Sequence, residues 1–125
     1  MSDTIRVAVA DDQPMFRAGV VMSLREEEGI DVVGEAADGS AALALARAEL
    51  PDVMILDINM PGGGLETAQR IAVACPATRI VMLTVSEDED DLLAAMKAGA
   101  SGYVLKGAGA SEMAAVIRSV HAGEV

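Results

Sequence analysis

The run Val53-Met54-Ile55-Leu56-Asp57 constrains this chain more than any other stretch. Four apolar residues without alternation lead straight into one carboxylate, and Asn59, Met60 and Pro61 stand just beyond. An unbroken apolar run bounded by turn formers predicts a strand covered on both faces, because a half-exposed strand alternates polar with apolar residues. The design recurs along the chain. Val7-Ala8-Val9-Ala10 ends in Asp11-Asp12, Ile80-Val81-Met82-Leu83 ends in Thr84, and Tyr103-Val104-Leu105 ends in Lys106. Four buried strands that each deliver a polar group at the C-terminal edge predict that those groups meet in space.

The segments between these runs carry helical spacing. Pro14 suits the first turn of a helix, in which Phe16, Val20 and Leu24 recur. A shorter strand, Ile30 to Ala36, precedes Asp38-Gly39-Ser40, which offers a turn and an N-cap for an Ala-rich helix to about Glu49. Leu65, Ala68, Ile71 and Cys75 mark one face of a third helix. The acidic run Glu87 to Asp91 opens a fourth that carries Leu92, Leu93 and Met96, and Gly99 closes it. Met113, Val116, Ile117 and Val120 fall at i, i+3, i+4 and i+7 in the last.

Alternating strands and helices predict an α/β fold: a doubly wound five-stranded parallel sheet with five helices on its two faces. Right-handed crossovers leave few arrangements, and the flavodoxin-like order 2-1-3-4-5 is the expected one. It sets strands one and three side by side at the topological switch point, where ligands bind at the carboxyl ends of strands. Asp11, Asp12 and Asp57 would gather there. Strand two, at the far edge, brings no such group.

Composition narrows the partners. At 125 residues and more than half apolar, the chain has the size of one domain, residues 1–125, and enough apolar content for a core despite a net charge of −11. With one Phe and one Tyr, that core must be aliphatic, and Met54, Met82 and Cys75 read as part of it. Nine scattered basic residues against twenty acidic ones argue against direct nucleic-acid contact. No stretch approaches the roughly 18 apolar residues of a membrane span, and the N-terminus lacks the regions of a signal peptide. A single cysteine fits a reducing compartment. A cytoplasmic domain with no membrane contact is the expectation.

Three clustered carboxylates repel, so one takes a proton or a cation joins them. Oxygen donors with room for water suit Mg²⁺. Lys106 supplies a point charge for phosphate, and Thr84 a hydroxyl. Together they describe phosphoryl transfer to an aspartate, in which catalysis is mostly positioning and charge neutralisation. Asp57 stands alone and reads as the acceptor. The pair Asp11 and Asp12 reads as the metal platform, with the backbone carbonyl of Asn59 added.

These residues, in this order, resemble the receiver domain of two-component response regulators, the CheY-like fold, over essentially the whole chain. The matching positions are Asp11 and Asp12, Asp57-Ile58-Asn59-Met60-Pro61-Gly62, Thr84, and Tyr103-Val104-Leu105-Lys106. The resemblance implies Mg²⁺-dependent transfer from the phosphohistidine of a sensor histidine kinase to Asp57. Thr84 would then be drawn inward, and the Tyr103 ring would change rotamer. It implies a switch that promotes its own phosphorylation, not a turnover enzyme. Ala100 to Gly107 resembles the subclass whose receivers precede a LuxR-like helix-turn-helix, and His121-Ala122-Gly123-Glu124 falls where a linker begins. An excised receiver is therefore expected, with its own C-terminal DNA-binding output domain absent from this chain and homodimerisation on phosphorylation allowed.

Two departures stand out. Gly62-Gly63-Gly64 leads directly to Leu65 in a loop one residue shorter than usual, which suggests a loosened backbone beside the acceptor. Lys106 is followed by Gly107 where many receivers carry proline. A constitutive, phosphorylation-independent interaction module is the alternative reading, though it has no physical need for all five reactive groups. A haloacid-dehalogenase-type hydrolase would need a second Asp where Asn59 stands. A flavin binder would need a phosphate-cradling loop where the Asp pair stands. His121 reads as a surface helix residue, and the acidic run as a solvated helix N-terminus.

Overall fold

Three of the four unalternating runs lie at the centre of the sheet. The computed structural model describes residues 4–85 and 88–123. Its elements follow in the order β1 (Ile5–Ala10), α1 (Pro14–Arg25), β2 (Ile30–Ala36), α2 (Gly39–Glu49), β3 (Val53–Asp57), α3 (Gly64–Ala74), β4 (Arg79–Thr84), α4 (Glu89–Lys97), β5 (Gly102–Leu105) and α5 (Ala110–His121). The strands are parallel and ordered β2-β1-β3-β4-β5, as expected.

Why β1, β3 and β4 lack alternation is visible in their two faces. Val7, Val9, Ile55, Val81 and Leu83 pack under α1 and α5 with Leu24 and Ile117. The intervening Ala8, Ala10, Met54, Leu56, Ile80 and Met82 pack under the other helices with Ala46, Ala68 and Ile71. Successive side chains point to opposite faces, so a strand covered twice needs an apolar residue at every position. Each large aliphatic side chain removed from water this way contributes about 1.5–3 kcal/mol. Met54, Met82 and Cys75 are core, and His121 is exposed.

One expectation needs correction. The fourth run is not buried on both faces: β5 closes an edge of the sheet, and Tyr103 is 43% exposed. A strand-order effect of this kind is invisible in a three-residue apolar run. In α4 the apolar side chains are only partly covered, with Leu92 half-buried. Leu93 and Met96 are exposed and Ala95 is its one buried side chain. The acidic run opens this helix through the Asp88 side chain, which accepts from the Asp90 N–H, while Glu87 lies outside the described residues.

Candidate functional site

Strand register sets the site. Ala10 pairs with Leu56, so Asp11 and Asp57 leave neighbouring strands at one level. Leu83 pairs with Asp57 and Thr84 with Leu105, which brings Thr84 and Lys106 to the same edge. One carboxylate oxygen from each of Asp11, Asp12 and Asp57 lies within 4.8 Å of the others. Asp11 and Asp57 are buried, whereas Asp12 is exposed.

Each buried carboxylate is braced by the backbone two residues on, an Asx-turn pattern. The Gln13 N–H donates to Asp11 Oδ1 at 2.8 Å, and the Asn59 N–H donates to Asp57 Oδ1 at 3.1 Å. This leaves both Oδ2 atoms facing Lys106. Its Nζ donates to Asp57 Oδ2 at 3.1 Å and stands 3.1 Å from Asp11 Oδ2. The second approach is an ion pair without hydrogen-bond alignment, so Asp11 Oδ2 is a buried oxygen lacking a hydrogen-bond partner. Arg17 fixes the strand end by donating from Nη1 to the Asp11 carbonyl at 2.6 Å and pairing with Glu35 at 3.0 Å.

The electrostatics follow from one ammonium shared by several carboxylates. Burial pushes the Asp57 carboxyl above its ordinary range. The Asn59 N–H and Lys106 pull it down, Asp11 adds to the rise, and burial prevails. Burial also works against the Lys106 ammonium, but Asp11 and Asp57 together outweigh it and hold that group above its usual value. An isolated ion pair would lower the acid while raising the base. Here the acid rises too, because its burial, with Asp11 adding to it, outweighs the Asn59 N–H and Lys106. The cluster stays net negative and favours a further cation.

The β3–α3 loop is tied, not loosened. The Gly63 N–H donates to Met60 O at 2.9 Å, Gly64 N–H to Ile58 O at 3.2 Å, and Gly39 N–H to Pro61 O at 2.9 Å. Gly62 and Gly63 hold φ of 93° and 80°, a region disfavoured for other residues. A Cβ on Gly64 would run into the Asp57 carbonyl oxygen and the Ile58 Cα. Glycine here permits a close approach to the acid that ends β3.

Asp11, Asp12, Asp57 and Lys106 are thus gathered as expected. Thr84 is buried at the adjacent strand end, where its carbonyl accepts from the Lys106 N–H at 2.8 Å. Asn59 sits beside them with its backbone turned to Asp57. Tyr103 stands apart, in a surface groove with Met96, Gly102 and Val116. Two contacts escaped sequence reasoning. Gln13 Oε1 accepts from Lys106 Nζ at 2.9 Å, and the Phe16 ring lies 4.9 Å from the same nitrogen. The one available signal was that Gln13 directly follows the Asp pair at a strand-to-helix turn.

A buried acid-lysine cluster at the switch point of a 2-1-3-4-5 sheet narrows the families, and sequence comparison decides among them. The family described as the response regulator receiver domain matches residues 7–118. The chain belongs to this family. The receiver is 43% identical over 121 residues to the response regulator GacA of Pseudomonas aeruginosa, and 42% identical over 121 residues to the response regulator UvrY of Escherichia coli. In both comparisons the match covers 96% of this chain and 56% of the relative, so the receiver spans about half the length of these proteins. Among solved structures it resembles the signal receiver domain of the response regulator NarL from Mycobacterium tuberculosis. That match has a TM-score of 0.93 and 36% identity, and covers 98% of this chain and 99% of that one. Among the described residues no helix is long and apolar enough to cross a membrane.

Proposed function

We propose that this receiver accepts a phosphoryl group on Asp57 from the phosphohistidine of a sensor histidine kinase, with Mg²⁺ held by Asp11, Asp12, Asp57 and the backbone carbonyl of Asn59. The observation that carries this reading is the buried pair Asp11 and Asp57 sharing one ammonium at 3.1 Å, with Asp12 at the mouth. The donor set fits the ion: three carboxylates, an all-oxygen site, and a buried Asp11 Oδ2 without a hydrogen bond. Bound there, Mg²⁺ supplies charge neutralisation for phosphoryl oxygens.

The chain's own residues account for the remaining chemistry. An Asp57 oxygen forms a bond to phosphorus as the bond from phosphorus to the donor's imidazole nitrogen breaks, and the electron pair leaves with the imidazole. Lys106 neutralises phosphoryl charge, and the Thr84 hydroxyl donates to a phosphoryl oxygen. Burial of Asp57 excludes competing water and strengthens both interactions. Thr84 moving toward the phosphoryl group vacates space beside β5, and Tyr103, now in its outward groove, follows. A local charge is thereby read out on the β4–β5 face, as in other charge-driven switches.

In this reading the protein is a cytoplasmic signalling switch, not a turnover enzyme. Its phosphorylation state controls a C-terminal DNA-binding output domain and favours a homodimer. The relatives named as response regulators, about twice as long as this chain, support that organisation. The test is incubation of the domain with Mg²⁺ and acetyl phosphate, followed by intact mass. One added phosphoryl mass is expected in the parent and none in Asp57→Asn. No gain in the parent, under conditions where Mg²⁺ binding is measured, would overturn the reading.

A further inference from the structure

Gln13 occupies the N-cap position of α1, where a side chain ordinarily accepts from a free N–H of the first turn. It does not do so: α1 has no side-chain cap. The Gln13 side chain reaches across to the opposite side of the site and accepts from Lys106 Nζ at 2.9 Å. Its main chain is meanwhile fixed twice, by its own N–H to Asp11 Oδ1 and by its carbonyl, which accepts from the Arg17 N–H at 2.9 Å. The Gln13 amide thus meets the lysine in place of capping the helix.

Lysine needs such a hold. Its four-carbon stem is flexible. The hydrogen bonds that fix the turn, Lys106 N–H to Thr84 O and Ala108 N–H to Leu105 O, hold the backbone and leave the side chain to be placed by its own contacts. Of the three oxygens around Nζ, two belong to carboxylates, the hydrogen-bonded Asp57 Oδ2 and the ion-paired Asp11 Oδ2, and in the proposed reaction both change charge environment. Gln13 is neutral and stands outside that change. The Phe16 ring closes a further side of the ammonium.

We propose that Gln13 is a positioning residue, which holds the Lys106 ammonium over Asp57 and so sets the rate of phosphoryl entry. This rests on the proposed role of Lys106 in phosphoryl transfer. The informative variant is Gln13→Asn, which restores a good cap but is one methylene too short to reach Nζ. Phosphorylation by acetyl phosphate at saturating Mg²⁺ is expected to slow about threefold to tenfold, the scale of the net loss of one ordinary hydrogen bond. Thermal stability should hold or rise, and Mg²⁺ affinity should not change. Gln13→Glu, which keeps an acceptor oxygen at full reach, should retain most of the rate. In a Lys106→Ala background, itself slow, Gln13→Asn should have no further effect. An unchanged rate in Gln13→Asn beside a slowed Lys106→Ala would overturn the proposal, as would equal slowing in both backgrounds. Lys106→Ala as fast as the parent would overturn it together with the role given to Lys106.

Discussion

At the scale of single residues, Asp57 is held where its ionisation is unfavourable, and that has a measurable consequence. Its pKa is raised above the unfolded value of 3.8 by burial. Ionising it therefore costs folding free energy at all pH values above the folded pKa. The cost fades as pH falls through that value and is absent below the unfolded one. Asp57→Asn, unfolded by urea in EDTA, should gain about 1–2 kcal/mol at neutral pH, and the gain should vanish in acid. Lys106 behaves oppositely. Its raised pKa contributes stability that is fully present below the unfolded value of 10.5 and lost as pH rises through the folded one. Lys106→Met leaves two buried carboxylates without their cation and should lose about 1–3 kcal/mol at pH 7 in EDTA. Added Mg²⁺ should restore part of this, and the gap to the parent should narrow in alkali. A Lys106→Met protein as stable as the parent in EDTA would contradict the ion-pair geometry.

At the scale of elements, the start of α3 and the whole of α4 are the informative pieces. Gly64 opens α3 directly against the backbone of β3, and its missing Cβ is what allows the acceptor strand and this helix to meet. Gly64→Ala should destabilise the fold by about 1–3 kcal/mol, the usual cost of overpacking. Chemical denaturation measures it, and a neutral result would mean that the backbone there yields easily. In α4, by contrast, Ala95 is the one buried side chain and the apolar Leu93 and Met96 face water. Little tertiary packing therefore supports this helix. Hydrogen exchange should be faster along Glu89–Lys97 than in the other four helices. That places the weakest element beside β5 and Tyr103, where the proposed switch is read out.

At the scale of the whole molecule, the charge of −11 resides on a small surface around an aliphatic core. Self-repulsion of this size opposes compaction and is screened by salt. The melting temperature should rise by several degrees as NaCl increases from about 20 mM to about 500 mM in the absence of divalent ions. A flat or falling dependence would show that local ion pairs such as Arg6–Glu49 and Arg118–Glu27 outweigh the net field. The sheet gives a second whole-molecule pattern. β1, β3 and β4 are flanked on both sides, so their amides should exchange more slowly than those of the edge strands β2 and β5.

The fold was legible because buried parallel strands leave a plain signature: apolar at every position, ended by one polar residue, and separated by helical spacing. The chemistry of the site was legible for the same reason. Asp11, Asp57, Thr84 and Lys106 each end a run, and a parallel sheet aligns the ends of its strands. Side-chain reach across the fold was not legible. Gln13 stands 93 positions from Lys106 in the chain, and no local pattern reports that a glutamine leaves its helix uncapped to meet a distant lysine. Nor does an apolar run of three residues say whether it lies at the centre or the edge of a sheet, and it is at the edge that Tyr103 faces out. The close fit of Gly64 against Asp57 is equally a property of two backbones meeting. Periodicity and strand-end chemistry are local, and the sequence determined them by itself. Edge position, the cost of burial at Asp57 and the third partner of Lys106 depend on which distant segments share a neighbourhood, and tertiary structure alone decided those.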